Sequence, residues 1–171
     1  MPISADGLVI RRATMADTKA MAEYMTAVMG EGLDTIPRRG PRSEELQCSL
    51  LEKAAANGRT FFLMAFDGEK IVAFVEVHFG DDPSNDHAAW LGVTVAKAWR
   101  GKGLGRRIMK AAIAAAKAVP GACRIELLCV SWNTGAVELY KSLGFTIEGV
   151  KRKAVNFRGK PEDEYLMALV W

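Results

Sequence analysis

Apolar residues recur along the chain with two alternating periods, and the alternation predicts a mixed α/β fold. Met21, Tyr24, Met25 and Val28 are spaced three and four apart, which is typical of the buried face of a helix. Further helices are predicted over 43–57, in an Ala-rich segment that ends near position 119, and over 133–143. Strands are predicted over 8–12, 60–66, 70–79, 88–95 and 123–130, with two more between 145 and 171. The order β-α-α-β-β-β-α-β-α-β-β is that of one mixed α/β domain.

Capping and turn residues set the bounds of these elements. Ser43, followed by two glutamates, predicts a helix start because its hydroxyl can accept from a free backbone N–H group. Asn57-Gly58 predicts the end of that helix. Asp67-Gly68 between two apolar runs predicts a hairpin, with a loop of two residues or more. The last two strands are predicted to fold about Gly159-Lys160-Pro161.

Composition and charge are those of a single globular domain. The chain has 171 residues, of which 50% are hydrophobic and 25% are charged, and its formal net charge is +3. So small an excess of positive charge gives no reason to expect nucleic-acid binding. We interpret residues 1–7 as an N-terminal tail and residues 8–171 as one domain. No stretch has the length of a membrane span or of a leader's apolar core, so neither is predicted and a cytoplasmic location is expected.

The cysteines and histidines give little support for a disulfide or a metal site. Cys123 and Cys129 would lie about 20 Å apart along one predicted strand, which is too far for a bridge. None of the 3 cysteines belongs to a C-x-x-C pair, and the chain has only 2 histidines. The sequence therefore predicts no metal site.

The segment with the strongest chemical character is Arg100-Gly101-Lys102-Gly103-Leu104-Gly105, between a predicted strand and a predicted helix. Alternating glycines let a backbone approach a ligand closely, and a helix start adds free N–H groups and positive potential. More basic residues surround it: Lys97, Arg106, Arg107 and Lys110. The combination indicates a diphosphate site, and a glycine-rich turn beside an exposed basic helix is the alternative. The dinucleotide pattern G-x-G-x-x-G and the Gly-Lys-Ser/Thr ending of nucleotide-triphosphatase loops both fail to match.

Two motifs make the chain resemble the GNAT superfamily of acyl-CoA-dependent N-acyltransferases. Arg100-x-x-Gly103-x-Gly105 is similar to that family's pyrophosphate loop, and Asn133-x-x-Ala136-x-x-Leu139-Tyr140-x-x-Leu143-Gly144-Phe145 is similar to its second motif. The order of elements agrees with the family over residues 8–171. The resemblance implies a mostly antiparallel mixed sheet with splayed parallel fourth and fifth strands, four helices, and acetyl-CoA as the cosubstrate.

The resemblance also implies where acetyl-CoA would bind. The backbone of the fourth strand at Val93, Thr94 and Val95 would pair with the pantetheine arm and polarise the acyl carbonyl. Asn133 would contact the same arm, and Tyr140, seven residues on along one helix face, would protonate the departing thiolate. A helix N-cap for Asn133 and a half-buried aromatic role for Tyr140 are the alternatives. The pyrophosphate would lie on the glycine loop, formed by Arg100, Gly101, Lys102, Gly103, Leu104, Gly105 and Arg106.

The sequence offers no acid where members of this family often place a general base. The fourth strand reads Ala88-Ala89-Trp90-Leu91-Gly92. Glu76 is the best substitute, because a charge inside an otherwise apolar strand needs a reason; a solvated glutamate on the outer face is the alternative. His78, which shares strand parity with Glu76, is the second candidate for the base, and His87 ranks lower.

We interpret the protein as an enzyme that acetylates a primary amine of a small molecule by direct attack in a ternary complex. The resemblance implies that the loop 29–42 lies over the acceptor site, where Arg38, Arg39 and Arg42 would hold a carboxylate and so favour an amino acid or an analogue. Arginines that are simply exposed to solvent are the alternative. The alternatives are a non-catalytic acyl-CoA-binding regulatory module and a protein N-terminal or lysine acetyltransferase. The resemblance also implies a homodimer, paired through an exposed terminal strand at 165–171 as in members of this family, whereas nucleic-acid and membrane partners are not expected.

Overall fold

The computed structural model describes residues 3–5, 7–31, 43–157 and 159–171. These residues form eight strands and four α-helices, with two short 3-10 turns at Met15–Asp17 and Lys97–Trp99. In chain order the elements are β1 (Ile3–Ala5), β2 (Leu8–Arg12), α1 (Thr18–Gly30), α2 (Glu44–Asn57), β3 (Thr60–Asp67), β4 (Lys70–Phe79), β5 (Ala88–Val95), α3 (Leu104–Lys117), β6 (Arg124–Val130), α4 (Thr134–Ser142), β7 (Thr146–Phe157) and β8 (Lys160–Val170).

The strands form one mixed sheet in the order β1-β2-β3-β4-β5-β6-β8-β7. β5 and β6 run parallel, and every other neighbouring pair in the described sheet is antiparallel. This confirms the predicted fold class, including the parallel pair and the four helices. The structure adds one strand within the segment 1–7, which we predicted to be a tail, because the backbone of β1 pairs with β2. The family's fourth and fifth strands are therefore β5 and β6 here.

The position of β8 corrects one prediction. We expected the segment 165–171 to be an exposed strand through which two subunits could pair. β8 instead lies between β6 and β7 and is hydrogen-bonded to both over most of its length. The outer strands of the described sheet are β1 and β7. A homodimer stays a prediction, but the edge that we assigned to it is wrong.

Two helical layers cover the two faces of the sheet. On one face, α1 and α2 pack their apolar sides against Phe62, Met64 and Phe74 of β3 and β4. On the other face, α3 and α4 pack against residues of opposite parity, such as Leu63 and Val75. Because strand residues alternate between faces, the parity of a residue decides which helical layer it meets.

The local signals in the sequence fix the turns as predicted. Ser43 caps α2, and its hydroxyl accepts a hydrogen bond from the Leu46 N–H at 3.3 Å. Gly58 ends α2 with φ of 62°, a left-handed conformation that glycine adopts without strain. Asp67 pairs with Lys70, so the loop of the first hairpin has only two residues. Cys48, Cys123 and Cys129 are free, and Cys123 and Cys129 lie at the two ends of the β6 segment, as their spacing predicted.

The Gln47 side chain is buried without a hydrogen-bond partner among the described residues. Gln47 of α2 is 0% exposed, and neither its side-chain nitrogen nor its side-chain oxygen forms a hydrogen bond in the described chain. Gln47→Met keeps the volume and removes the unsatisfied amide, so we expect the free energy of unfolding to rise by about 1–3 kcal/mol. Urea unfolding of the two proteins measures the difference. A fall in stability would show that the Gln47 amide has a favourable partner.

Candidate active site

The two parallel strands separate partway along their length and open a cleft. β5 and β6 pair only where Ala88–Trp90 meets Arg124–Glu126, and their later residues have no pairing with one another. The space between them is part of a cleft of about 720 Å³, lined on one side by Leu91 to Val95 and on the other by Leu127 to Val130. The splayed pair predicted from the resemblance is therefore confirmed. Backbone N–H and C=O groups along this gap are free to pair with an extended ligand.

The glycine loop closes one end of this cleft with unsatisfied backbone donors. Gly101 and Gly103 have φ of 71° and 79°, and a Cβ atom on either would meet only open space. Gly103 is the N-cap of α3 and supplies no side chain to satisfy the first turn. The first hydrogen bond of the helix runs from the Arg107 N–H to the Gly103 carbonyl at 3.2 Å, so the N–H groups before it lack helical partners. Free N–H groups at a helix start suit an anionic group such as a phosphate.

Most of the residues predicted to bind the cosubstrate line the cleft, and two do not. Leu104 is 1% exposed and belongs to the apolar side of α3 that packs on the sheet. Lys102 is exposed, and its ammonium lies 5.6 Å from the centre of the Trp99 ring, which stabilises it through a cation–π contact. The residues that do line the cleft are Val93, Thr94, Val95, Arg100, Gly101, Gly103, Gly105, Arg106, Asn133 and Tyr140.

The Arg100 side chain is engaged within the protein. Its Nε donates to the Val95 carbonyl at 2.8 Å, and its guanidinium forms an ion pair with Glu31 at the end of α1. The other Glu31 oxygen accepts from the Lys97 N–H at 3.1 Å. Arg100 therefore ties the end of β5 to α1 and fixes the start of the glycine loop. This side chain therefore braces the loop from within the protein.

Asn133 and Tyr140 lie on the same side of α4, as the spacing predicted. The Asn133 side chain caps α4, accepting from the Ala136 N–H at 3.3 Å, and it also lines the cleft. The Tyr140 ring is buried and packs near Phe145, with ring centres 6.0 Å apart. Burial raises the pKa of the Tyr140 hydroxyl well above its ordinary value, and the nearby Cys129 adds to the shift. The hydroxyl therefore stays protonated at any ordinary assay pH.

Glu76 reaches the cleft from the neighbouring strand because the residue opposite it is a glycine. In the register of β4 and β5, Glu76 pairs with Gly92, and its side chain is 13% exposed. A Cβ atom at position 92 would lie 2.9 Å from Oε1 of Glu76 and 2.9 Å from the Trp90 ring. The glutamate carboxylate thus occupies space above β5, the strand on which the sequence offered no acid. His78 Nε2 lies 3.3 Å from Oε2 of Glu76 and supports it from the side.

Sequence reasoning missed a second buried carboxylate in the cleft. Glu164 of β8 is 8% exposed and lines the cleft with Cys129, whose pKa is raised to about 11 by burial and then by the charge of Glu164. Cys129 is therefore a thiol and a poor nucleophile at neutral pH, which agrees with the prediction of direct transfer. The sequence shows Glu164 only as one charged residue within the terminal strand. The register of β8 with β6 is needed to show on which face of the sheet its side chain lies.

The three loop arginines that we predicted to hold an acceptor carboxylate, Arg38, Arg39 and Arg42, lie outside the described residues. Within the described ranges, no group of three or more histidine, cysteine, aspartate or glutamate side chains is arranged to hold a metal ion. None of the described helices combines the length and the apolar character that crossing a membrane requires.

Comparison with known proteins supplies the family. The sequence profile of the Acetyltransferase (GNAT) family matches residues 30–145. The chain belongs to this family. A GNAT-family acetyltransferase from Streptococcus pneumoniae has a similar structure, with a TM-score of 0.89 and 28% identity, covering 95% of this chain and 98% of that chain. Another similar structure is yncA, a putative acetyltransferase from Salmonella typhimurium solved with its cofactor acetyl-CoA, with a TM-score of 0.85 and 21% identity over 96% of this chain and 94% of that one.

One curated relative of this GNAT chain carries a substrate class in its name. The L-amino acid N-acetyltransferase AaaT of Escherichia coli (strain K12) is 31% identical over 104 residues. The match spans 61% of this chain and 64% of the length of the relative. Several residues of the two motifs lie around one cleft in this chain, namely Arg100, Gly103, Gly105, Asn133, Ala136, Leu139 and Tyr140. The last three residues of the second motif, Leu143, Gly144 and Phe145, do not line it.

Proposed function

We propose that this protein transfers an acetyl group from acetyl-CoA to a primary amine of a small molecule, with an L-amino acid or an analogue as the favoured acceptor. The observation that supports this most strongly is one cleft with an uncapped helix start at one end and both Tyr140 and Glu76 on its walls. The name of the relative from Escherichia coli supports the acceptor class. A cytoplasmic location stays a prediction from the sequence.

The residues of the cleft fit acetyl-CoA. The open glycine loop and the free N–H groups of the first turn of α3 would hold the pyrophosphate. At 93–95 β5 pairs with β4 but no longer with β6, so its edge toward β6 would hold the pantetheine arm, as an added strand pairs with a sheet edge. Asn133 would contact the same arm while capping α4. When bound, acetyl-CoA supplies the acetyl group as an activated thioester.

Glu76 and Tyr140 lie on opposite faces of the sheet and would each move one proton of the reaction. Glu76 has the parity of Phe74, which packs under α1, whereas Tyr140 belongs to the layer of α3 and α4. Glu76 would take one proton from the ammonium form of the acceptor, so that the neutral amine attacks the carbonyl. The second proton leaves the nitrogen for solvent once the N–C bond has formed. Tyr140 would donate a proton to the sulfur as the C–S bond breaks. The proton acceptor Glu76 and the proton donor Tyr140 would thus act from opposite faces of the sheet.

The proton on the amine explains why the acceptor class matters. Neutralising a lysine-like amine of pKa about 10.4 at pH 7 costs about 4.6 kcal/mol, whereas an α-amino group of pKa about 7.7–8 costs only about 1–1.4 kcal/mol. The free-energy cost of deprotonation that the Glu76 carboxylate must offset is therefore smaller for an α-amino group than for a lysine side chain. An amino-acid acceptor is therefore easier to reconcile with this site than a lysine side chain.

The proposal is tested by titrating the protein with acetyl-CoA in a calorimeter and then screening amines for thiol release. We expect binding, together with turnover on L-amino acids. Binding without turnover on any amine would favour the regulatory module, and turnover restricted to peptides would favour a protein acetyltransferase. A protein that did not bind acetyl-CoA would overturn the proposal.

A substitution in the glycine loop tests the cosubstrate site. Gly103→Leu places a side chain in the open space over the loop and forces a left-handed φ, which costs a residue other than glycine about 1–2 kcal/mol. We expect the Kd for acetyl-CoA to rise at least about tenfold, which corresponds to 1.4 kcal/mol. Gly121→Leu, at a turn with φ of 80° outside the cleft, is the matched control for backbone strain. Equal affinities in all three proteins would contradict the assignment of the loop.

A further inference from the structure

Glu164 is a buried acidic residue that the proposed proton transfers do not use. It lies near the start of β8, opposite Val130 of β6 and Lys151 of β7. It is 8% exposed and lines the cleft. Removing a carboxylate from water is unfavourable unless charged or hydrogen-bonding partners replace the water. The groups that contact the Glu164 carboxylate therefore indicate its role in the cleft.

The register of the sheet places Glu164 on the same face as Glu76. Residues paired across neighbouring strands share a face, and so do residues two apart along one strand. Following paired residues from β4 through β5 and β6 to β8, with steps of two residues along a strand, connects Glu76 to Glu164 on one face of the sheet. Both carboxylates thus border the cleft on the face opposite the layer of Tyr140. The pairs that establish this are Glu76–Gly92, Trp90–Glu126 and Val130–Glu164.

Among the described residues, no helix covers this face beside Glu164. The helices α1 and α2 cover β3 and β4, and their apolar contacts do not extend to β6 or β8. Leu128, which lies two residues before Val130 and on the same face, is 37% exposed. Solvent therefore reaches this face at Leu128, beside the strand position of Glu164. The layer of α3 and α4 closes the other face with the buried core.

The contact that Glu164 does make is with an ammonium group. The Lys151 Nζ lies 3.4 Å from Oε2, and the lysine side chain is 54% exposed. Oε1 accepts no hydrogen bond from any described residue. A carboxylate has about four acceptor positions, so one distant lysine leaves most of them available. Glu164 thus has the capacity and the exposure to the cleft to bind a second ammonium group.

We infer that Glu164 binds the ammonium group of the acceptor and draws the protonated amine into the cleft, where Glu76 takes its proton. This inference rests on the proposed acetyl transfer to an amine. It assigns Glu164 to substrate binding, and the substrates that Glu164 would favour are primary amines that enter the cleft as cations. Loss of the charge should therefore weaken acceptor binding and leave the chemical step intact.

Steady-state kinetics of Glu164→Gln with a panel of L-amino acids test the inference. We expect the KM for the amino acid to rise about 10- to 100-fold, as expected for the loss of a charge-assisted hydrogen bond. The kcat value, the pH dependence of kcat and the Kd for acetyl-CoA should stay within about threefold of wild type because Glu76 and the glycine loop are untouched. Glu164→Asp keeps the charge and should restore part of the affinity.

Glu162→Gln is the matched control, since Glu162 lies two residues before Glu164 on the same strand and does not line the cleft. An equal rise in KM for both glutamine variants would overturn the inference, because it would show an effect of overall charge. A loss of kcat at unchanged KM in Glu164→Gln would also overturn it and would make Glu164 the base. If the wild-type protein acetylates no amine, the proposed function fails, and that result is seen before any variant is compared.

Discussion

Tyr140→Phe is expected to lower kcat by about 10²- to 10⁴-fold, the usual contribution of a positioned proton donor. The substitution removes only the hydroxyl, so the ring contact with Phe145 and the packing of α4 are kept. Burial holds the pKa of this hydroxyl above its ordinary value, so the group is protonated throughout the assay range. The defect should therefore be almost independent of pH between about 6 and 9. Single-turnover kinetics at several pH values measure it.

The control for this prediction is Tyr165→Phe. Tyr165 is a half-buried tyrosine on β8 that packs against the same core and does not line the cleft. Removing the Tyr165 hydroxyl in this variant should leave kcat within about twofold of wild type. The Kd for acetyl-CoA should be unchanged in both variants. An unaltered kcat in Tyr140→Phe would remove the tyrosine from the reaction and leave it a packing role.

Glu76→Gln is expected to lower kcat/KM by about 10²- to 10⁴-fold at pH 7, because no carboxylate then takes the proton of the amine. The direction of the pH effect follows from the acceptor. As pH rises toward the pKa of the amine, more of it arrives neutral and needs no base. The deficit of the variant relative to wild type should therefore shrink as pH rises. A pH profile of kcat/KM from 6 to 10 tests this.

Gly92→Ala provides a second test of the same role without changing the acid. The added Cβ atom would lie 2.9 Å from Oε1 of Glu76, so the carboxylate must move from its place above β5. We expect a smaller loss of kcat/KM with the same dependence on pH. Glu69→Gln, in the exposed turn of the β3–β4 hairpin, is the control for charge. A deficit that stays constant with pH in Glu76→Gln would contradict the base and leave the glutamate a structural role.

The parts of this protein that sequence predicts well are those determined by nearby residues. Ser43 and Gly58 bound α2 because each satisfies backbone groups within one turn of itself. The glycine loop is recognisable for the same reason, since Gly103 both provides the φ and leaves the helix start uncapped. These features need no knowledge of which strands become neighbours.

The parts that sequence does not predict depend on partners far along the chain. Arg100 is the first residue of the glycine-loop motif, but its guanidinium forms an ion pair with Glu31, which lies 69 residues earlier in the chain. Glu164 reads as one of several charges in a terminal strand until the register with Val130 places it in the cleft. Glu76 was chosen because it is a charge inside an otherwise apolar strand, but its carboxylate has room because Gly92, opposite it, has no side chain. Pairings between distant strands decide each of these cases.

The place of β8 in the sheet bears on how the chain is made. β8 follows β7 in sequence but lies between β6 and β7, so β6 has no partner on that side until β8 has been synthesised. β7 cannot join the sheet before then, because its only described neighbour is β8. A chain emerging from the ribosome therefore exposes the open edge of β6, a risk for aggregation, until a late insertion closes the sheet. Nascent chains released before β8 should bind chaperones and resist protease poorly, whereas chains released after it should be compact.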